Sequence, residues 1–184
     1  MRIIGGSAKG VRLAAVPAGT RPVSDRAREG LFSSLGDRVL GAVVLDLFAG
    51  TGALGIEALS RGALEATFVD RARAATSAVR ENLTRVALAG KGTAITSDVA
   101  SYLRKPALSA ADIVFADPPY DVDSTDLAPL LLELATAHLT QDFTVVLTRG
   151  KGSSAPSVPL HWAVARQLHY GDSLVFLYRE VGWA

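Results

Sequence analysis

The segment V-V-L-D-L-F-A-G-T-G-A-L-G, running from Val43 to Gly55, decides how the rest of the chain is read. The apolar run Val43-Val44-Leu45 ends on Asp46, and Gly50, Gly52 and Gly55 then follow in the spacing G-x-G-x-x-G. Helix formers come next: Ala53, Leu54, Ile56, Glu57, Ala58 and Leu59. This is the pattern of a buried strand, a tight turn and the opening of a helix. A glycine turn at a strand's carboxyl end lets backbone approach a ligand closely, because no Cβ intervenes. The expectation is a nucleotide-like cofactor lying across the turn. A plain strand-to-helix connection uses the same glycines, so the rest of the chain has to identify the ligand.

Outward from this segment the chain alternates strand and helix. Ala66-Thr67-Phe68-Val69-Asp70, Thr93-Ala94-Ile95-Thr96-Ser97-Asp98 and Ile113-Val114-Phe115-Ala116-Asp117 read as strands, each closing on an acid, and Phe143 to Leu147 as a fifth. Helices are expected over 72–88, with Ala75, Val79, Leu83 and Val86 at helical spacing, and over 125–138. Trp162 to Leu168 and Ser173 to Tyr178 alternate around Tyr170-Gly171-Asp172, a hairpin signal. The whole predicts an α/β fold: a mostly parallel seven-stranded sheet, helices on both faces, and an antiparallel C-terminal hairpin. In such sheets ligands sit outside the carboxyl ends of the strands. Asp46, Asp70, Asp98 and Asp117 would therefore share one rim, unless they merely cap helices.

Upstream, two β-prone pieces within residues 2–16 flank Gly5-Gly6-Ser7-Ala8-Lys9-Gly10 and predict a hairpin or paired strands. Pro17 and Pro22 bracket a loop carrying Arg21, and Ser24-Asp25 opens a helix over 24–36 with Ala27, Leu31, Phe32 and Leu35 on one face. The overall net charge of +1 hides an asymmetry. Residues 1–40 carry seven basic and three acidic side chains, whereas the remainder carries twelve and fifteen. A division follows: a basic N-terminal extension over 1–40 and a cofactor-binding domain over 41–184. The extension suits a polyanion, with Arg2, Lys9, Arg12, Arg21, Arg26 and Arg28 as nucleic-acid-binding candidates. Arg26 and Arg28 stand beside Asp25 and Glu29 and have ion pairing as their alternative.

At 184 residues, 49% hydrophobic and 20% charged, the chain is large enough for a proper core. It has no cysteine, which excludes disulfides, thiolate metal sites, iron–sulfur clusters and a Cys nucleophile. Methylation at pyrimidine C5 through a Cys adduct, and radical methylation, are excluded with them. His138, His161 and His169 have no metal-ligand spacing, so no metal is expected. With neither a signal-peptide pattern nor a membrane-length apolar run, the expected location is the cytoplasm and no membrane partner is expected.

Two cofactor classes compete for the glycine turn. A nicotinamide dinucleotide fits the glycine spacing, with Asp70 on a ribose diol, but leaves Asp98 and Asp117 idle. S-adenosylmethionine has no pyrophosphate and presents an ammonium to the Asp46 end of the turn, ribose hydroxyls to Asp70 and an adenine amino group to Asp98. Carboxylates suit that cationic, hydroxyl-rich ligand better than they suit a pyrophosphate. Asp117-Pro118-Pro119-Tyr120 decides between them. Two prolines fix the backbone and remove two amide donors, leaving acceptors beside an aromatic ring. Such a corner suits a planar base bearing an exocyclic NH2.

D-P-P-Y resembles the motif of S-adenosylmethionine-dependent methyltransferases acting on exocyclic amines of nucleobases. The resemblance extends along nearly the whole chain. Arg2-Ile3-Ile4-Gly5-Gly6 with Lys9-Gly10, Arg21-Pro22-x-Ser24-Asp25-Arg26-x-Arg28-Glu29, and Leu45-Asp46-Leu47-Phe48-Ala49-Gly50-x-Gly52-Ala53-Leu54-Gly55 are similar to the RsmD family. That resemblance implies a Rossmann-like class I methyltransferase fold and methylation of guanine N2 in bacterial 16S ribosomal RNA, within the small subunit, by a monomer. The implied cofactor-binding set is Asp46, Phe48, Ala49, Gly50, Thr51, Gly52, Gly55, Asp70, Arg71, Asp98 and Val99, with S-adenosylhomocysteine as product. The implied catalytic set is Asp117, Pro118, Pro119 and Tyr120, with Asp117 and the Pro118 carbonyl holding the amine and Tyr120 stacking on the base. The chain departs from the family pattern at the end of the fifth strand, where Thr148-Arg149 stand in place of a frequent Glu. Alternatives are an adenine-N6 DNA methyltransferase, a non-catalytic RNA-binding module on the same fold, and an NAD oxidoreductase.

Overall fold

Seven strands form a single sheet: β1 (Val43–Leu47), β2 (Glu65–Asp70), β3 (Gly92–Thr96), β4 (Ala111–Ala116), β5 (Leu139–Gly150), β6 (Trp162–Tyr170) and β7 (Ser173–Glu180). The structure, a computed structural model, describes residues 1–14, 24–119, 122–153 and 156–182. The strand order is β3-β2-β1-β4-β5-β7-β6. The first five strands run parallel, while β7 pairs antiparallel with both β5 and β6. This is the expected sheet with its C-terminal hairpin. The hairpin turn needs only Gly171 and Asp172, because Tyr170 pairs with Ser173 and Gly171 adopts φ 57°.

Among the described residues five α-helices cover the sheet: α1 (Asp25–Leu35), α2 (Ala53–Ser60), α3 (Arg73–Arg85), α4 (Val99–Leu103) and α5 (Ser124–Ala137). Side chains alternate across each strand, so the parallel strands build two cores at once. Val44, Phe68, Ile113, Phe115 and Val146 face α1, α2 and α3, packing with Leu31, Phe32, Leu54, Leu59, Val79 and Leu83. Leu45, Leu47, Val69, Val114, Val145 and Leu147 face α4 and α5, packing with Leu103, Leu127, Leu131 and Leu134. Of these helices α4 was not expected, since five residues are too few for a helical period to register.

The first fourteen residues pair with themselves, as expected, through an isolated antiparallel bridge between Arg2 and Arg12. Ile3, Ala8 and Leu13 enter the same core as α1, α2 and α3. The chain order of the strands reverses between β1 and β4, the topological switch point where α/β sheets open a crevice for ligands. Register there is fixed by Leu47 opposite Ala116 and by Ala116 opposite Leu147, which sets Asp117 beside Thr148. Among the described residues no helix is long and apolar enough to cross a membrane.

Candidate active site

The glycine turn leaves β1 through a backbone path that only a few residues tolerate. Phe48 has φ 58°, Gly50 φ 53° and Gly52 φ 74°, all left-handed. For Phe48 that conformation costs about 1–3 kcal/mol, and such outliers persist where surroundings hold them for a purpose. Gly52 caps α2, and its amide closes the turn on the Ala49 carbonyl at 2.7 Å. Gly55 answers a packing demand: a Cβ there would lie 2.4 Å from the Phe68 ring.

Two carboxylates bind the turn from inside. Asp46 is buried and accepts from the Gly55 amide at 2.9 Å. Asp70 accepts from the Gly50 amide at 2.9 Å and from Ala72 at 2.8 Å. Two of the amides that a pyrophosphate would draw on at a glycine turn and helix start, those of Gly50 and Gly55, are therefore already answered by the protein's own carboxylates. Asp46 sits inside β1 rather than at its end, since the strand continues to Leu47. Burial drives its carboxyl well above the ordinary aspartate range, against the Gly55 hydrogen bond, and the fields of Asp117 and Asp70 push the same way. Among the described residues none of these three acids has an ion-pair partner.

Asp117 is half-buried, directly after β4, with its amide directed at the Leu47 carbonyl at 3.5 Å. Burial raises its carboxyl to about 6, and a hydrogen bond from the Thr148 side chain opposes the rise. Pro118 is buried and Pro119 exposed, the Pro119 carbonyl closing a turn with the Val122 amide at 3.1 Å. Tyr120 lies outside the described residues. The next residue of β5, Arg149, is also buried and donates to the Val122 carbonyl at 2.9 Å and to Ser124 Oγ at 3.3 Å. Consecutive residues of one strand thus hold both ends of the loop that carries D-P-P-Y.

Asp98 is placed differently from the other three acids. β3 ends at Thr96, and Asp98 is the exposed N-cap of α4, accepting from the Ser101 amide at 3.2 Å. The capping alternative describes it, although Ser97 donates to the Asp70 carbonyl at 3.0 Å and keeps Asp98 on the same rim. Val99 turns its side chain into the α4–α5 core, so only its backbone is available to a ligand. Arg71 is exposed beside Asp70. Ala49 and Thr51 are half-buried within the turn, and the Thr51 carbonyl accepts from Asn82.

The basic arm divides into surface and structure. Arg2, Lys9, Arg12 and Arg26 are exposed, and Arg21 lies outside the described residues. Arg28 is a correction: it is fully buried, donating to Asp25 and to the Arg2 carbonyl at 2.7 Å each, with Nη1 3.7 Å from Glu57. Buried guanidinium is retained only where it is paired, and Arg28 is paired within the fold. Glu57, fully buried on α2, accepts from the Ile4 and Gly5 amides at 2.8 Å and from Arg61 Nε at 2.7 Å. Ser60 takes the Ala8 amide at 2.9 Å and donates to the Gly5 carbonyl at 2.6 Å. A Cβ on Gly6 would lie 1.8 Å from the Ser60 carbonyl oxygen, so the Gly5-Gly6 pair is what lets the arm lie against α2.

A family model described as Conserved hypothetical protein 95 matches residues 1–179. Ribosomal RNA small subunit methyltransferase D of Escherichia coli K12 is 34% identical over 181 residues, covering 98% of this chain and 90% of that protein. The chain belongs to the RsmD family. A solved Escherichia coli chain, provisionally assigned as a methyltransferase, superposes with a TM-score of 0.87 at 34% identity, covering 98% of this chain and 97% of its own. A hypothetical protein from Thermus thermophilus superposes with a TM-score of 0.80 at 32% identity, covering 98% and 99% respectively. The fold is that of Rossmann-like class I methyltransferases.

Within this RsmD-family frame the sequence reading misses Glu57, Ser60 and Asn82, and it marks Thr148-Arg149 as a departure without giving either residue a partner. Two of the three missed residues, Glu57 and Asn82, carry a signal. Glu57 is the one charged residue of the helix A-L-G-I-E-A-L-S, which has no other polar face to carry it. Asn82 stands seven residues after Ala75, on the stripe that buries Val79 and Leu83. A polar residue at a core position must find partners.

Proposed function

We propose that this protein transfers a methyl group from S-adenosylmethionine to the exocyclic N2 amine of a guanine in bacterial 16S ribosomal RNA. One observation carries the reading: Asp46 and Asp70 hold the glycine turn, Asp46 feels the charges of both Asp70 and Asp117, and none of the three has an ion-pair partner among the described residues, next to the donor-poor Asp117-Pro118 corner. A cationic ligand relieves that mutual repulsion, and an anionic one aggravates it. The donor set therefore fits S-adenosylmethionine and fits a pyrophosphate poorly, because Gly50 and Gly55 already donate to carboxylates. Membership of the RsmD family supports the substrate class, the Escherichia coli relative being named a ribosomal RNA small subunit methyltransferase.

When bound, S-adenosylmethionine supplies an electrophilic methyl carbon and departs as S-adenosylhomocysteine. The chain's own work is positioning and charge. A guanine amino lone pair is delocalised into the ring and is a weak nucleophile. The Asp117 carboxylate and the Pro118 carbonyl accept from the amine and orient it; such alignment is worth roughly 7–11 kcal/mol in intramolecular reactions. The same acceptors strengthen as positive charge develops on nitrogen. Asp117, held at about 6, is able to take the departing proton or pass it to water. Tyr120 stacks on the base, a contact contributing ~1–3 kcal/mol.

A base within a duplex cannot reach this corner, so the target is splayed or flipped out. Arg2, Lys9, Arg12 and Arg26, with Arg21, hold the RNA backbone, which positions without reading sequence. The substrate is the assembled small subunit, the protein acts as a monomer in the cytoplasm, and residues 1–40 form the RNA-contacting extension of a 41–184 catalytic domain. Labelled methyl transfer to small subunits, followed by nucleoside digestion and mass spectrometry, tests this. N2-methylguanosine is expected, lost in Asp117→Ala with RNA binding intact. N6-methyladenine in duplex DNA assayed alongside would instead support the adenine reading, and no product from wild type on either substrate the non-catalytic module. Protein-free RNA methylated as fast as the subunit would overturn the ribonucleoprotein assignment.

A further inference from the structure

Asn82 is fully buried on α3, where an unpaired amide would be costly. Its side chain is satisfied by two segments that are remote in sequence. Oδ1 accepts from the Ala14 amide at 2.7 Å, and Nδ2 donates to the Ala14 carbonyl at 3.4 Å and to the Thr51 carbonyl at 3.0 Å. Ala14 immediately precedes residues 15–23, the stretch that contains Arg21. Thr51 stands between Gly50 and Gly52 in the turn. One amide therefore ties the base of the arm to the cofactor turn. At its other end the arm is fastened to α2, the helix that this turn opens, through Glu57 and Ser60.

We propose that Asn82 is a positioning residue that couples occupancy of the glycine turn to seating of the N-terminal arm, so that the cofactor-loaded protein is the form prepared to grip RNA. The inference rests on the cofactor reading above. A ligand that fixes the turn fixes the Thr51 carbonyl, which orients the Asn82 amide and with it both hydrogen bonds to Ala14. Linkage makes the effect reciprocal: whatever unseats Ala14 weakens the cofactor by the same factor, typically about 5–150-fold for coupled sites. A local-opening equilibrium is enough to transmit it, and amide exchange reads that equilibrium directly.

The test is hydrogen–deuterium exchange on the full chain with and without S-adenosylhomocysteine, alongside calorimetric affinity for the same ligand. In wild type the ligand is expected to slow exchange both in the peptide spanning the turn and in the peptide spanning Ala14, the latter about tenfold. Asn82→Asp puts a carboxylate against two carbonyl oxygens and is expected to abolish the response at Ala14 while weakening the ligand at least fivefold. Ala14→Pro removes the amide that Asn82 accepts, touches no residue of the turn, and keeps the test decisive should Asn82→Asp fail to fold. It too is expected to weaken the ligand at least fivefold, and the double variant to add little further. Protection of the turn with no change at Ala14, or full affinity in Ala14→Pro, would overturn the coupling alone. No protection of the turn in wild type would overturn the cofactor reading and this inference with it.

Discussion

Replacing Thr148 with Val removes the hydroxyl that donates to Asp117 and leaves the strand register intact. In wild type burial raises the Asp117 carboxyl from 3.8 to about 6 despite that hydrogen bond. A group of that pKa is about nine-tenths ionised at pH 7 and about one-tenth at pH 5, so kcat/KM is expected to fall roughly tenfold between them. A hydrogen bond to a charged group contributes ~1.5–3 kcal/mol, and about 1.36 kcal/mol corresponds to one pH unit, so the limb in Thr148→Val is expected to move to about 7 or above. The variant then works at about half its full rate or less at pH 7 and recovers by about pH 8.5. That recovery separates a titrating acceptor from a damaged fold. Linkage adds a second readout. Because the folded pKa is raised, the folded chain binds more protons than the unfolded one. The ligand-free protein therefore gains up to about 3 kcal/mol from Asp117 as pH falls through 6 toward 3.8, and loses it as pH rises. The assay is single-turnover methyl transfer to small subunits across pH 5–9 at constant ionic strength. A limb at the same pH in both proteins, or a flat wild-type profile, would refute the assignment of Asp117 and Thr148.

Glu57→Gln removes the buried negative charge beside the Arg28 guanidinium, which keeps Asp25 and the Arg2 carbonyl, and weakens the charge-assisted bonds to Ile4, Gly5 and Arg61; a loss of about 3–5 kcal/mol is expected in guanidinium unfolding, and a loss under about 1 kcal/mol would contradict the buried pairing. Gly6→Ala forces a Cβ onto the Ser60 carbonyl at a φ of 75°, so limited proteolysis is expected to cut within the first fourteen residues while wild type resists. Neutralising Arg2, Lys9 or Arg12 is expected to lower the slope of log affinity for RNA against log salt by about one each, whereas Arg28→Gln lowers thermal stability; a full change of slope from Arg28→Gln would return it to the RNA surface.

The alternation of apolar runs with helical periods was enough for the sheet, because parallel strands buried on both faces read as continuous hydrophobic segments. Gly50, Gly52 and Asp117 were legible for a related reason: a left-handed φ or a proline-fixed corner leaves few residue types to choose from. The ion pair of Arg28 with Asp25 is legible three residues away, but its burial is not, because charge counting cannot see Glu57, twenty-nine positions away, folding back onto it. The same distance problem hid Asn82, whose partners Ala14 and Thr51 lie 68 and 31 residues away. Asp98 was grouped with Asp46, Asp70 and Asp117 by its place after an apolar run. It stands two residues past β3, on the same rim, where it also caps α4, a local role that an apolar run does not announce.

A cationic methyl donor is proposed to rest among Asp46, Asp70 and Asp117 at the β1–β4 switch point. A co-crystal structure with S-adenosylhomocysteine tests it most directly. The ribose hydroxyls are expected on Asp70, the ammonium at the Asp46 end of the glycine turn, and the sulfur facing the Asp117-Pro118 corner. Density for the ligand elsewhere, with the turn still closed on its own carboxylates, would contradict it.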